Sequence, residues 1–199
     1  MARSGGRYED AAQRYAEALQ VFHEVGDAAG IAMAQHNLGY VALHSGDLDG
    51  ARRAFQDSLA ASVELRQTDM IAFCLAGLAA VAHAGGNRDL AGQMFGATDA
   101  ILAANGVAFA PADRLTYEQN VALWRAALGE AAADAAWAEG RQRSLEDVLA
   151  LALASEATAS ARGEVGTAES GQDQSASASR QRRADMGGQD RVVLRLIAL

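Results

Sequence analysis

The chain contains no lysine, one cysteine, one proline and few aromatic residues, which make up 6% of its 199 residues. Without lysine there is no Walker A phosphate loop, and neither a Gly-x-Ser-x-Gly elbow nor a dinucleotide fingerprint occurs, so no enzyme, cofactor or metal chemistry is expected. The single Cys74 excludes an internal disulfide and a cysteine-based zinc site, and points to a reducing, cytoplasmic setting. One proline leaves helices almost uninterrupted, and sparse β-branched and aromatic residues give strands little material. There is no signal peptide and no run of 18 apolar residues, so the chain reads as soluble, with no membrane association.

What is present is alanine-rich and acidic. Half of the residues are hydrophobic, enough for one globular domain with a tail, and the expected fold class is all-α. The net charge of −8 is uneven. Residues 1–179 carry 12 Arg against 23 Asp and Glu, a balance of −11, whereas residues 180–199 carry five Arg against two Asp, a balance of +3. The body should repel nucleic acid, and only the last residues, beginning with Arg180-Gln181-Arg182-Arg183, should attract it.

The chain repeats itself. "GRYEDAAQRYAEAL" (6–19), "GDLDGARRAFQDSL" (46–59) and "GNRDLAGQMFGATD" (86–99) align without gaps at a shift of 40. Gly6, Gly46 and Gly86 coincide, as do Ala11, Ala51 and Ala91, and Tyr15, Phe55 and Phe95. The segments before the second and third copies also match, with Leu38 over Leu78. Such a period predicts stacked helical hairpins. One helix (about 30–44) places Ala34, Leu38 and Ala42 at helical spacing, and a Gly-Asp turn ends it. The next (about 48–64) places Ala51, Phe55 and Leu59 on one stripe that closes on the first. Gly39 and Ala51 let the backbones approach, and the aromatic at 55 fills the space between neighbouring hairpins. Leu78, Ala91 and Phe95 repeat those packing roles. The helix at 7–24 has no partner before it.

These residues resemble the tetratricopeptide repeat, with Leu38, Gly39, Ala51 and Phe55 at that family's spacings. Gln35 replaces the aromatic expected before Leu38, the usual closing proline is missing, and the unit is longer than the standard 34 residues. The resemblance implies a right-handed solenoid over residues 1–154. Its helix faces would form a concave groove for a protein or a small effector, lined by His36, Asn37, Tyr40, His44 and His83, with Met33, Phe73, Ala76, Gly77 and Ala80 at the remaining groove positions. The plainer reading of the polar five is a solvated or half-buried set with no partner. His36, His44 and His83 make no metal site, since i, i+8 is not a ligand pair and no carboxylate joins at i+4. Cys74 takes the packing position of Ala34 and reads as a buried, inert thiol.

After the repeats, Pro111 opens and Gly129 closes a helix whose buried stripe is expected at Leu115, Val121 or Ala122, and Leu128. A short Ala-rich helix should stop at Gly140, and Ser144 with Asp147 forms a capping box for the last one. Residues 95–153, with "WAEG" and "SLEDV", resemble the closing part of the helical-repeat region in LuxR-type, ATPase-linked bacterial transcriptional regulators. That resemblance implies an ATPase domain upstream and a LuxR-type helix-turn-helix downstream. Residues 155–190, rich in Ser, Ala, Gly and Gln, read as a flexible linker. The final "DRVVLRLIAL" resembles the first helix of the LuxR-type DNA-binding domain through Arg191, Val193, Leu194, Arg195, Leu196, Ile197 and Ala198. Gly187 and Gly188 stand where that pattern has Thr-Pro, and Val192 replaces a Glu. Residues 191–199 would then be a truncated first helix without its recognition helix, unable to bind DNA alone. The expected function is a non-enzymatic protein- or effector-binding scaffold from such a regulator. A free-standing repeat adaptor with no DNA role is the alternative.

Overall fold

Each Gly-Asp or Gly-Asn step of the repeats becomes a joint between helices. The structure, a computed structural model, describes residues 2–154, with side chains from Tyr8 onward except that of Ala112. The linker expected at 155–190 and the helix expected at 191–199 lie outside the described residues. Eight α-helices and no strand occur among the described residues: α1 (Ala2–Val25), α2 (Ala28–Ser45), α3 (Leu48–Glu64), α4 (Thr68–Ala84), α5 (Arg88–Asn105), α6 (Pro111–Leu128), α7 (Glu130–Gln142) and α8 (Leu145–Ala154). The fold is an all-α helical repeat. It divides into two compact units, the first ending at Ser144 and the second starting at Leu145. In the second, α8 carries Glu146 and Asp147 in its first turn, where the helix dipole favours negative charge.

Within the first unit the joints are regular. Left-handed backbone recurs at Gly26, Gly46, Arg66, Gly86 and Gly106, with φ of 70°, 84°, 56°, 85° and 62°. The spacing is 20 residues throughout, so the 40-residue repeat consists of two equal arms. Glycine meets no Cβ penalty in this conformation, and at four of the five joints glycine is there. The residue after the first, second and fourth joints then caps the next helix. Asp27 Oδ1 accepts the Gly30 amide at 2.9 Å, Asp47 Oδ1 the Gly50 amide at 2.8 Å, and Asn87 Oδ1 the Leu90 amide at 3.3 Å. Each cap satisfies an amide that the helix itself leaves unbonded. The third joint has neither device: Arg66 stands in the left-handed position and Gln67 makes no side-chain cap.

Helices α1 to α5 pack each on the next. Phe55 on α3 is fully buried and its ring lies against Gly39 of α2 and Gly77 of α4, so that a Cβ at either glycine would collide with it. Ala51 and Leu59 on the same stripe are also fully buried. Leu38 is only half-buried, whereas its counterpart Leu78 lies in the core with Ala91 and Phe95. A hydroxyl joins the arms at equivalent places. Ser58 Oγ donates to the Ala32 carbonyl at 2.7 Å, and 40 residues on, Thr98 Oγ1 reaches the Ala72 carbonyl at 3.5 Å while bonding Met94 O at 2.9 Å.

The stack then breaks its own pattern. The helix that covers α5 is α7, not α6. A Cβ at Gly96 would strike the Trp137 carbonyl and one at Gly140 the Gln93 carbonyl, so two glycines bring α5 and α7 into backbone contact. Gly140 therefore does not stop its helix, as expected from sequence; α7 continues to Gln142, and Gly140 is a point of close approach. Helix α6 leaves the stack and runs across the face that α2 and α4 share. Trp124 is fully buried beside Gly92 and Ala136, with Nε1 donating to the Arg88 carbonyl at 2.8 Å. This register corrects the expected stripe of α6. Leu115 is 57% exposed, Ala122 also faces out, and Tyr117, Val121, Trp124 and Leu128 form the inward side.

Candidate functional site

Rings line the face that α6 crosses. From α1 to α7 they follow one another: Tyr8 to His44 (centroids 5.3 Å apart), His44 to Tyr40 (6.4 Å), Tyr40 to His36 (5.2 Å), His36 to Phe73 (6.5 Å) and Phe73 to Phe109 (4.7 Å). The series continues from Phe109 to Tyr117 (4.7 Å), Tyr117 to Phe95 (5.9 Å), Phe95 to Trp124 (5.6 Å) and Trp124 to Trp137 (6.1 Å). Offset and edge-to-face pairs at these separations are each favourable beyond the area they bury. Over α4 the chain supplies the covering itself, since Phe109 and Tyr117 close on Phe73. At the Trp end, Arg125 lies 5.3 Å from the Trp137 ring centroid and is ion-paired with Asp134 at 2.6 Å.

At the other end the face stays open. A cavity of about 450 Å³ lies between α1, α2 and the first turns of α6, lined by Tyr8, Tyr15, Asn37, Tyr40, His44 and Asp113, with Ala11, Val41 and Thr116. Three residues expected to line a groove, Asn37, Tyr40 and His44, meet here. Tyr40 sits deepest, and burial raises its hydroxyl pKa, with the nearby thiol of Cys74 and carboxylate of Asp113 acting in the same direction.

His36 and His83 are not part of this cavity. His36 turns into the core, against the Phe55 ring at 5.5 Å, with Nδ1 3.8 Å from Cys74 Sγ. Burial pushes its pKa down to about 4, so it is neutral near pH 7. Cys74 is fully buried and donates to Ser58 Oγ at 3.1 Å. Its thiol pKa is pushed up to about 12 by burial, against the pull of the hydrogen bonds from Ser58 and Ser62. The Cys-His pair therefore sits in a dry core as thiol and neutral imidazole, and no thiolate nucleophile forms there. His83 lies in the last turn of α4, half-buried, with Nδ1 unbonded and its pKa lowered by burial and by Arg88. Ala76, Gly77 and Ala80, expected in the groove, are buried.

Tyr8, Tyr15 and Asp113 were not expected at the site. Tyr15 aligns with Phe55 and Phe95, so the repeat pattern marks it as packing; in the structure it borders the cavity. Asp113 arrives on α6, which has no counterpart in the repeat register. No helix among the described residues is long and apolar enough to cross a membrane.

Comparison with known proteins places the start of this chain. Residues 1–64, covering α1 to α3, match the family model described as Tetratricopeptide repeat. Repeats of this kind generally mediate protein–protein interaction and are typically non-catalytic scaffolds. No curated protein and no solved structure matches the chain. The α1–α3 segment that carries the cavity's Tyr8, Asn37, Tyr40 and His44 is thus the segment that matches the tetratricopeptide repeat.

Proposed function

We propose that this chain is a non-enzymatic binding scaffold whose partner protein or small effector engages the cavity between α1, α2 and the start of α6. One observation carries the reading. Tyr8, Tyr15, Asn37, Tyr40, His44 and Asp113 converge on a single hollow, and none of them makes a hydrogen bond within the described part of the chain. Polar side chains gathered around a cavity with their bonding capacity unused are what a ligand site requires.

The scaffold belongs in this reading to the interaction region of a cytoplasmic LuxR-type transcriptional regulator, with an ATPase domain upstream. The support is sequence resemblance at residues 95–153 and 186–198. The mechanism is recognition followed by movement: an occupant of the cavity touches α1, α2 and α6 together, and a shift of α6 alters what the flanking segments can do.

The test is capture of partners by the full chain, comparing wild type with the double variant Asn37→Ala/His44→Ala. Loss of a captured partner with an unchanged circular dichroism spectrum supports the site; undiminished capture of every partner overturns it. The regulator context is tested by the reading frame around the gene. A P-loop ATPase upstream and a helix-turn-helix downstream support it, and stop codons with unrelated neighbours on both sides overturn it in favour of a free-standing adaptor.

A further inference from the structure

The cavity's chemistry is one-sided. Its described lining offers three phenol hydroxyls, a threonine hydroxyl, a carboxamide, an imidazole and one carboxylate, Asp113, and no arginine. Asp113 has no ion-pair partner among the described side chains, although the same helix pairs Arg114 with Glu118 at 2.7 Å. Its charge is felt at the Tyr40 hydroxyl, where it adds to burial and to Cys74 in raising the pKa. Across the mouth, Tyr8 stacks on His44 with 18° between the rings and His44 faces Tyr40 at 29°. This sets near-parallel π faces on the same cavity as a carboxylate that the first turn of α6 favours but no described side chain pairs. The surrounding body is itself acidic, at −11 over residues 1–179.

An anionic ligand would meet repulsion from Asp113 with no cation among the described lining side chains to offset it. A neutral apolar ligand would leave six polar side chains desolvated and unbonded, at a cost per group. A planar cation satisfies both demands, because a guanidinium donates in a fork to a carboxylate while its flat face rests on aromatic rings. Resting on the reading of this cavity as the binding site, we infer that it takes a guanidinium-type organic cation, with Asp113 as counter-ion, Tyr8, Tyr40 and His44 as the stacking wall, and Asn37 and Tyr15 as hydrogen-bonding partners. The same chemistry is available from an arginine side chain of a partner polypeptide or from a free small molecule.

The experiment uses the full chain and three probes: the peptide acetyl-Gly-Arg-Gly-amide, its citrulline counterpart, which keeps the shape without the charge, and ethylguanidinium chloride. Amide NMR shifts locate binding and calorimetry measures it. The expected result is saturable shifts at Tyr8, Asn37 and Asp113, with the citrulline peptide at least tenfold weaker than the arginine peptide. Asp113→Asn should bring the arginine peptide to the citrulline level. Should that variant disturb α6, wild-type protein decides through salt: affinity for the cation falls as NaCl is added, whereas affinity for citrulline stays level. Saturation by ethylguanidinium assigns a free small cation, and saturation by the arginine peptide alone assigns a partner's side chain. Equal binding of arginine and citrulline peptides overturns the inference, as does an absence of shifts at the cavity with every probe. A partner whose capture survives Asp113→Asn but is lost in Asn37→Ala/His44→Ala overturns the cation while leaving the cavity as a partner site.

Discussion

The α2–α3 and α4–α5 hairpins share a backbone plan and differ in what they show. At four matched positions α2 carries His36, Asn37, Tyr40 and His44, where α4 carries Ala76, Gly77, Ala80 and Ala84. Ala76, Gly77 and Ala80 of α4 are buried, whereas Ala84 at the helix end is exposed, and the chain covers the buried stretch itself with Phe109 and Tyr117. Of the larger polar residues of α2, His36 turns into the core, and Asn37, Tyr40 and His44 border the hollow below the start of α6. The two hairpins thus pair small side chains with closure by the chain itself, and larger polar ones with an open hollow.

The strongest way to break the comparison is to remove what both hairpins lean on. Phe55 touches Gly39 of the first and Gly77 of the second, so Phe55→Ala should cost about 3–5 kcal/mol in urea unfolding, and the two hairpins should lose their joint transition.

Acidification separates the hairpins next. His36 has a folded pKa of about 4 against an ordinary 6.5. The unfolded chain therefore binds the proton first, stability is greatest above about pH 6.5, and it is lost as pH falls towards 4. The full loss from this group is on the order of 3 kcal/mol. His36→Gln should flatten this segment of the stability–pH curve. The second hairpin has Ala76 at that place; its own His83, also held below the ordinary value by burial and by Arg88, adds a loss of the same sign that His36→Gln leaves in place.

The hydroxyl links give a finer test. Ser58→Ala removes a 2.7 Å bond to Ala32 and also the acceptor of the Cys74 thiol, so a loss of about 1–2 kcal/mol is expected in denaturant titration. Thr98→Val removes a 3.5 Å contact and a bond inside its own helix, and should cost less than Ser58→Ala. The smallest effect lies at the joint between the hairpins. Arg66→Gly relieves a left-handed non-glycine residue and should stabilise by up to about 1 kcal/mol, seen as a raised Tm.

Much of the architecture was legible because it is written twice. The offset of 40, the Gly-Asp joints and the Ala51–Phe55–Leu59 stripe are local patterns, and local patterns locate helices and turns well. The site was legible only in part. Asn37, Tyr40 and His44 follow from repeat position, but His36 shares their side of the helix and turns inward because Phe55 and Cys74 form a niche that no helical wheel records. The role of α6 was hidden for a related reason. Periodicity says that a helix has an apolar side without saying which neighbour that side will meet. Leu115 fitted a stripe that the structure leaves in water, and Trp124 occupies the core position instead. Gly140 was read as a stop for want of the partner backbone that explains it.

The path of α6 also bears on how the unit comes apart. In a plain stack of hairpins every contact is between sequence neighbours, so the ends can fray while the middle holds. Here Asp113 borders the same hollow as Tyr8, 105 residues earlier in the chain. Closing so long a loop is slow and comes late in folding. Once closed, the hollow joins the first described helix to α6 across the stack, a link between distant parts of the sequence that a plain linear array of hairpins does not have.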